Sequence, residues 1–208
     1  MSVGPKPHPV VVVAAPANPF ITDATVYAHL RVDTSGSPPA PTDADFVGHL
    51  RDAVEDYLSG PGGVLGRQLI TSTLQVTYDR FPCAGETGLV VPLPPLAAVS
   101  AVTYVDTAGA TQTWASSNYT VVNEQRLPSR VVLAYGASWP STRDVPQAVT
   151  ITYTAGYGDD AADVPAALRQ AGLLMIGDLY ENREAQSADY EIRPNPAAER
   201  LLAGFFVR

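Results

Sequence analysis

Three histidines and one cysteine are the side chains of this sequence best suited to moving protons or attacking carbon. His49 has Asp45 four residues before it and Asp52 three residues after it. On a helix that spacing sets a carboxylate beside an imidazole, as in a base and its orienting group. It equally describes an ordinary solvated helix face. His8 lies close to the start of the chain and His29 in a different apolar-periodic stretch from His49. Cys83 has no His or Asn partner close in sequence, and a lone cysteine makes neither an internal disulfide nor a thiolate cluster. It is therefore expected to be a structural, partly buried thiol. Asp159, Asp160 and Asp163 offer the oxygen ligands that calcium prefers, but not at EF-hand spacing. Carboxylates ahead of a helix are also favourable against its dipole. The segment Gly60-Pro61-Gly62-Gly63-Val64-Leu65-Gly66-Arg67 has the glycine of a phosphate loop, yet it lacks the Gly-Lys-Ser/Thr ending and follows a helix pattern. It reads as a helix stop and turn. No Gly-x-Ser-x-Gly and no His-Glu-x-x-His occurs. The expectation is a protein that is not an enzyme, with no catalytic residue, metal or cofactor.

The elements that would position these groups are legible from period and punctuation. Thr22 or Asp23 caps a short helix carrying Val26, Tyr27 and Leu30. A Ser/Gly/Pro loop over Thr34–Pro41 separates it from a second helix, capped by Thr42 or Asp43, in which Phe46, Val47, Leu50, Val54, Tyr57 and Leu58 recur at helical spacing. Between about Leu65 and Tyr153 the chain alternates as strands do: Ile70, Leu74, Val76 and Tyr78 face one way, and Thr71, Thr73, Gln75 and Thr77 the other. Further strands are expected near Leu89–Val91, Val99–Val105, Thr111–Trp114, Tyr119–Val122, Val131–Tyr135 and Ala148–Thr154, with Asp106-Thr107-Ala108-Gly109 as a hairpin turn. Gly156 and Gly158 can take positive φ and turn the chain. Pro165 suits the first position of a long helix reaching Asn182. Residues 171–180 are apolar nearly all round, broken only by Gly177 and Asp178. A helix covering one core needs a single apolar stripe, and about ten residues are too few to span a bilayer. Burial against neighbouring copies explains the pattern, with Leu173, Ile176, Leu179, Tyr180 and Arg183 as intersubunit residues. A last short helix opens near Pro196 and carries Leu201, Leu202, Phe205 and Phe206, exposed in a monomer unless they fold back onto a core. The fold class is α+β: a small helical bundle with a β-rich insertion between the second helix and the long third helix, plus a C-terminal tail helix. The divisions are a flexible arm over 1–18, a helical core over 19–63 and 159–184, the insertion over 64–158 and a partner-binding tail over 185–208.

Composition bounds the partners. The 208 residues suffice to bury a core. Charged residues make up 16% and apolar ones 46%, so the surface is poor in charge. Either an assembly covers part of it or the chain is simply a loop-rich β protein. The 19 prolines and 16 glycines lie between apolar strands and mark turns. A net charge of −8 with scattered basic residues leaves no cationic track for a DNA backbone, although an acidic wall suits DNA that must slide without being held. Lys6 is the only lysine among 13 basic residues. The Val10–Val13 run is read as part of a flexible arm, not as a secretion signal, because the apolar stretch is short and prolines interrupt it. Asn118-Tyr119-Thr120 is then a chance sequon.

Taken in order, these features resemble the head–tail connector (adaptor) proteins of long-tailed phages and of phage-derived gene transfer agents. The resemblance runs from about Pro19 to Leu202. It rests on the short helix Thr22–Val32, the second helix ending in Gly60–Gly63, Phe81-Pro82, Leu93-Pro94-Pro95-Leu96, Tyr104, Trp139-Pro140, Gly156-Tyr157-Gly158, Val164-Pro165 and Leu179-Tyr180-Glu181-Asn182-Arg183. The end keeps the leucine pair Leu201-Leu202 but lacks a Pro-Tyr-Arg style ending. The resemblance implies a homo-oligomeric ring of twelve docked under a portal protein. Its C-terminal segment (Leu201, Leu202, Phe205, Phe206, Arg208) would reach into the portal. The opposite face would receive a stopper or tail-completion protein, and DNA would pass through the lumen without sequence-specific binding. Location in the neck of a virion or virus-like particle, after assembly in the host cytoplasm, follows; no membrane contact does. Two other classes stay open: a β-sandwich binding module using Trp114 or Trp139 as an exposed stacking platform, and a small hydrolase in which His49 or Cys83 meets distant partners.

Overall fold

The computed structural model describes residues 4–32, 44–124, 127–182 and 195–207. Its first element is an edge strand, β1 (Val11–Ala14), followed by helices α1 (Asp23–Leu30) and α2 (Ala44–Leu58). Strands β2 (Ser72–Tyr78), β3 (Leu89–Val91), β4 (Leu96–Val105), β5 (Thr111–Trp114), β6 (Tyr119–Val122), β7 (Ser129–Leu133) and β8 (Val149–Ala155) come next. Helices α3 (Ala166–Glu181) and α4 (Pro196–Leu202) complete the chain. Helices packed together and strands packed together make an α+β protein, as the periodicity implied.

Alternation decides the β half. In β2 and β8 every second residue is buried, and their antiparallel register sets Leu74 opposite Tyr153, Val76 opposite Ile151 and Tyr78 opposite Val149. The larger sheet has the order β1-β2-β8-β4-β5 and the smaller one β3-β7-β6. Leu89 and Val91 of β3 and Val131 of β7 join Leu74, Val102, Trp114 and Ile151 of the larger sheet in one apolar cluster, so the two sheets share a core. Asp106 closes the β4–β5 hairpin, its Oδ1 accepting from the backbone N–H groups of Ala108 and Ala110 at 2.9 Å. Gly156 ends β8 with φ +142°, and a Cβ there would lie 2.4 Å from Thr71 N, so only glycine fits. Gly158, expected to behave likewise, has no such φ.

A second cluster unites the helices. Val26 of α1, Val47, Val54 and Leu58 of α2, Leu168 and Ile176 of α3, and Ala198 and Leu202 of α4 are buried together with Phe20 and Ile21. Thr22 caps α1 by accepting from Thr25 N at 3.4 Å, and Asn195 caps α4 by accepting from Ala197 N at 3.0 Å. α3 lies against α1, α2 and α4. At Gly172 the Phe20 and Ile21 side chains come so close that an added Cβ would stand 2.7 Å from Ile21 Cδ1. The apolar circumference of α3 is thus largely covered by the chain itself, which corrects the inference that neighbouring copies are needed to bury it.

The arm expected over 1–18 also needs correction. Val11–Ala14 pairs with β2 in antiparallel register, and His8 N donates to Thr77 O at 2.9 Å. Three consecutive β-branched residues take the extended backbone readily. Because both faces of this edge strand are exposed, no period marked it as a strand.

Candidate assembly surface

Four of the exposed large apolar side chains come together on the helical half, whereas Val11, Val12, Val13, Val122, Leu127 and Tyr135 are exposed elsewhere. Tyr57 (51% exposed), Val64 (41%), Leu179 (42%) and Phe206 (44%) line a single groove of about 500 Å³ together with Met175 and Leu202. Three segments build it. α2 ends at Leu58 and turns at Gly60, presenting Tyr57 and Val64; Val64 N donates to Tyr57 O at 2.8 Å and fixes their spacing. The last turns of α3 bring Met175, Asp178 and Leu179 to the opposite wall. The C-terminal segment closes the end, since Val207 N donates to Leu65 O at 3.0 Å and Arg67 Nε donates to Phe205 O. A contiguous apolar patch of this kind is the usual mark of a surface that another macromolecule covers.

The residues nominated from sequence separate into different roles here. Ile176 is 0% and Leu173 8% exposed, so both belong to the chain's own core. They would act on assembly only through folding. Leu179 is exposed on the groove, and Tyr180 is half-buried with its ring 6.2 Å from that of Phe46. In the tail, Leu202 is buried at 5%, Leu201 and Phe205 pack against the helical cluster, and Phe206 alone of the four is exposed. The tail thus folds back onto the core, the outcome that had been set beside partner binding. Arg183 and Arg208 lie outside the described residues.

The groups suited to chemistry are not brought together. His8 Nε2 stands 2.8 Å from Asp79 Oδ1, which also accepts from Gln147 N. These two contacts, the backbone one first, hold the Asp79 carboxyl below its ordinary range. His49 is exposed, and its neighbour Asp52 is bonded to Arg51 Nη2 at 2.8 Å instead. Cys83 is exposed, not partly buried as expected. The reason is local: Arg80 and Glu86 tie the turn beneath it. Arg80 Nη2 donates to Glu86 Oε1 at 2.9 Å, and Cys83 N donates to Glu86 Oε2 at 2.6 Å. Through these, Arg80 foremost, the Glu86 carboxyl drops to about 2. Asp160 and Asp163 form a reciprocal capping box on a 3₁₀ turn, Asp160 N donating to Asp163 Oδ2 at 3.1 Å. Among the described residues no group of three His, Cys, Asp or Glu side chains is disposed to hold a metal ion, and no helix is long and apolar enough to cross a membrane.

Neither tryptophan stands fully exposed, as the stacking platform would require. Trp114 is 6% exposed and lies 4.8 Å from Trp139, which stacks on Phe81 at 5.1 Å. Tyr104 and Tyr119 extend this aromatic cluster. It packs against the core of the β half, with Trp139, Tyr104 and Tyr119 half-buried at its edge. Sequence reading missed the cluster because its members are 20 or more residues apart in several cases and meet only through strand pairing.

Comparison with solved structures finds the same fold in chains of gene transfer agent (GTA) particles. A chain from the virion of the native GTA particle matches with a TM-score of 0.70 at 23% identity, over 96% of this chain and 95% of that one. A chain from the neck of the empty GTA particle, computed with C6 symmetry, gives 0.72 at 21% identity over 96% and 95%. A chain from the neck of the native particle, computed with C12 symmetry, gives 0.67 at 20% identity over the same shares. In sequence, 42 residues are 48% identical to the head completion protein gp6 of Enterobacteria phage HK97. That segment is 20% of this chain and 38% of that protein. No protein-family model matches the chain.

Proposed function

We infer that this chain is a head–tail connector (adaptor) of a phage-like particle, a structural protein of the virion neck and not an enzyme. The observation that carries this is the fold shared over nearly the whole chain with gene transfer agent neck chains. The segment held in common with a head completion protein supports the same family.

The finer assignment is a ring of twelve between a portal protein and a stopper or tail-completion protein, with DNA passing through its lumen. Necks computed with C6 and C12 symmetry support a ring, and a ring requires a heterologous interface in which one face of each copy meets a different face of the next. The apolar groove with Tyr57, Val64 and Leu179 is our choice for one side of that interface. Portal contact is assigned to the C-terminal segment, with Phe206 as its exposed anchor and Arg208 beside it; Leu201, Leu202 and Phe205 seat the segment. A chain of net charge −8 suits a lumen in which DNA slides, because phosphates find no cationic track.

The burial pattern dictates the experiment. Deleting α4 would strip Leu202 from the core, so point variants are required. Native mass spectrometry and negative-stain images of the wild type, with and without portal protein, are expected to show closed rings that dock on the portal. Phe206→Asp should keep the fold and lose docking. Wild-type protein that stays monomeric at every concentration with portal present would sink the ring reading.

A further inference from the structure

A ring contact joins two different patches of the same chain, so the groove with Tyr57, Val64 and Leu179 needs a counterpart elsewhere on the surface. That counterpart must be convex, apolar and free of negative charge. Asp178 and Glu199 also line the groove and are exposed, and copies of net charge −8 repel one another. A further carboxylate brought there would add to the repulsion. An O–H donor on the entering side chain would instead be met by two charged acceptors, the stronger kind of hydrogen bond.

Away from the groove, the exposed large apolar side chains among the described residues are Val11, Val12, Val13, Val122, Leu127 and Tyr135. Tyr135 differs from the other five in three ways. It is 108% exposed, so nothing in its own chain covers the ring. It alone of the six carries a hydrogen-bond donor. It also stands at the tip of a fixed turn. Ala137 N donates to Ala134 O at 3.1 Å, Gly136 supplies the φ of +78° that such a turn needs, and Ala134 N donates to Asn118 O at 3.0 Å. The base of the turn is the β6–β7 pairing of Tyr119 with Leu133. No residue from Val131 to Thr142 carries a charge. The turn thus holds out a ring with an apolar body and a polar end, and tyrosine is one of the side chains that anchor interfaces most often.

We propose that Tyr135 of each copy enters the groove of a neighbouring copy, its ring against Tyr57, Val64 and Leu179 and its hydroxyl toward the carboxylates of Asp178 and Glu199. The proposal rests on the ring reading given above. The knob follows β7 and the groove lies among the helices, so the contact is head to tail and each copy uses both halves of it. Tyr135 is the anchor of the interface and not its whole area.

Two measurements test it. Because nothing covers Tyr135, Tyr135→Ala should keep the wild-type fold and thermal midpoint, yet raise the concentration for half assembly roughly tenfold or more in native mass spectrometry. Tyr135→Phe, which loses only the hydroxyl, should raise it less. Rings as stable in Tyr135→Ala as in wild type would overturn the contact; loss of portal docking in place of rings would give the turn to the portal protein. In the second measurement Cys83 is replaced by Ser throughout. A Ser138→Cys protein, its thiol beside the knob, is mixed with an Ala197→Cys protein, its thiol beside the groove, and treated with a short bismaleimide. Crosslinked pairs should form, and adding Tyr135→Ala to the Ser138→Cys protein should cut their yield roughly tenfold. A yield indifferent to Tyr135 would overturn the groove as its seat. Crosslinking that depends on Tyr135 but comes without closed rings would fault the ring reading alone and leave the contact standing.

Discussion

The helical and β halves of this chain dispose of their large side chains differently. The β half turns most of its rings inward, Tyr135 excepted: Trp114, Phe81, Trp139 and Tyr119 pack with ring centroids 4.8–5.4 Å apart, and Tyr78, at 0% exposure, donates its hydroxyl to Val90 O. In the helical half Tyr57, Val64, Leu179 and Phe206 stay on the surface around one groove. Packing inside each half is close, so the contrast does not reflect a poor core. The helical half gathers its exposed apolar area around one groove, a surface suited to being covered, whereas that of the β half is dispersed over Val11, Val12, Val13, Val122, Leu127 and Tyr135.

Substitutions can break that comparison. The largest effect should come from Ile176→Asp, which puts a charge where exposure is 0%. A buried, unpaired charge costs several kcal/mol, against a total stability of about 5–15 kcal/mol, so the protein should fail to fold in circular dichroism. Recovery of a folded monomer would mean that this position belongs to an interface after all. Trp114→Ala should cost about 3–5 kcal/mol, read as a lower urea midpoint, with unchanged ring formation once folded. Loss of rings in the folded variant would show that the aromatic cluster takes part in assembly. Leu179→Asp should shift stability by less than about 1 kcal/mol, as at other exposed sites, yet abolish rings in native mass spectrometry. Retained rings would remove the groove from the interface.

The smallest effect concerns acid. Glu86 is lowered from 4.5 to about 2 in the folded chain, so the native state holds its proton less tightly than the unfolded state. The stabilisation is therefore complete above about 4.5 and disappears as the pH falls through about 2. Glu86→Gln should lower the thermal midpoint at pH 7 slightly and narrow its distance from wild type steadily below pH 4.5. A constant difference down to pH 2 would contradict the Arg80–Glu86 assignment.

Much of the fold was legible because period maps onto burial. Leu74, Val76 and Tyr78 alternate with Gln75 and Thr77, and the structure buries the first set. The hairpin at Asp106, the cap at Thr22 and the helix stop at Gly60 are local chemistry and needed no tertiary knowledge. β1 was illegible because Val11–Val13 has no alternation, both faces of the strand being open. The misreading of α3 has a different origin. Its residues are apolar nearly all round, but sequence cannot distinguish a neighbouring copy from α1, α2, α4 and Phe20 arranged about the same helix. The surface was partly legible for the same reason: Leu179 and Phe206 stood out as apolar, while only the folded chain tells them from buried Ile176 and Leu202.

The strand order carries a consequence for biosynthesis. Among the described residues β8 is the last strand made, yet it lies between β2 and β4 at the centre of the larger sheet, with Ser72 paired to Ala155. Until the ribosome has released residue 155, β2 and β4 have no partner between them and each exposes a row of free backbone donors and acceptors. Such long-range closure is slow relative to local helix formation, and the unfinished sheet can capture β8 of another chain when chains are concentrated enough to compete with its own tethered strand. Production of this protein at high concentration is therefore expected to yield strand-exchanged dimers, most abundant where translation is fastest.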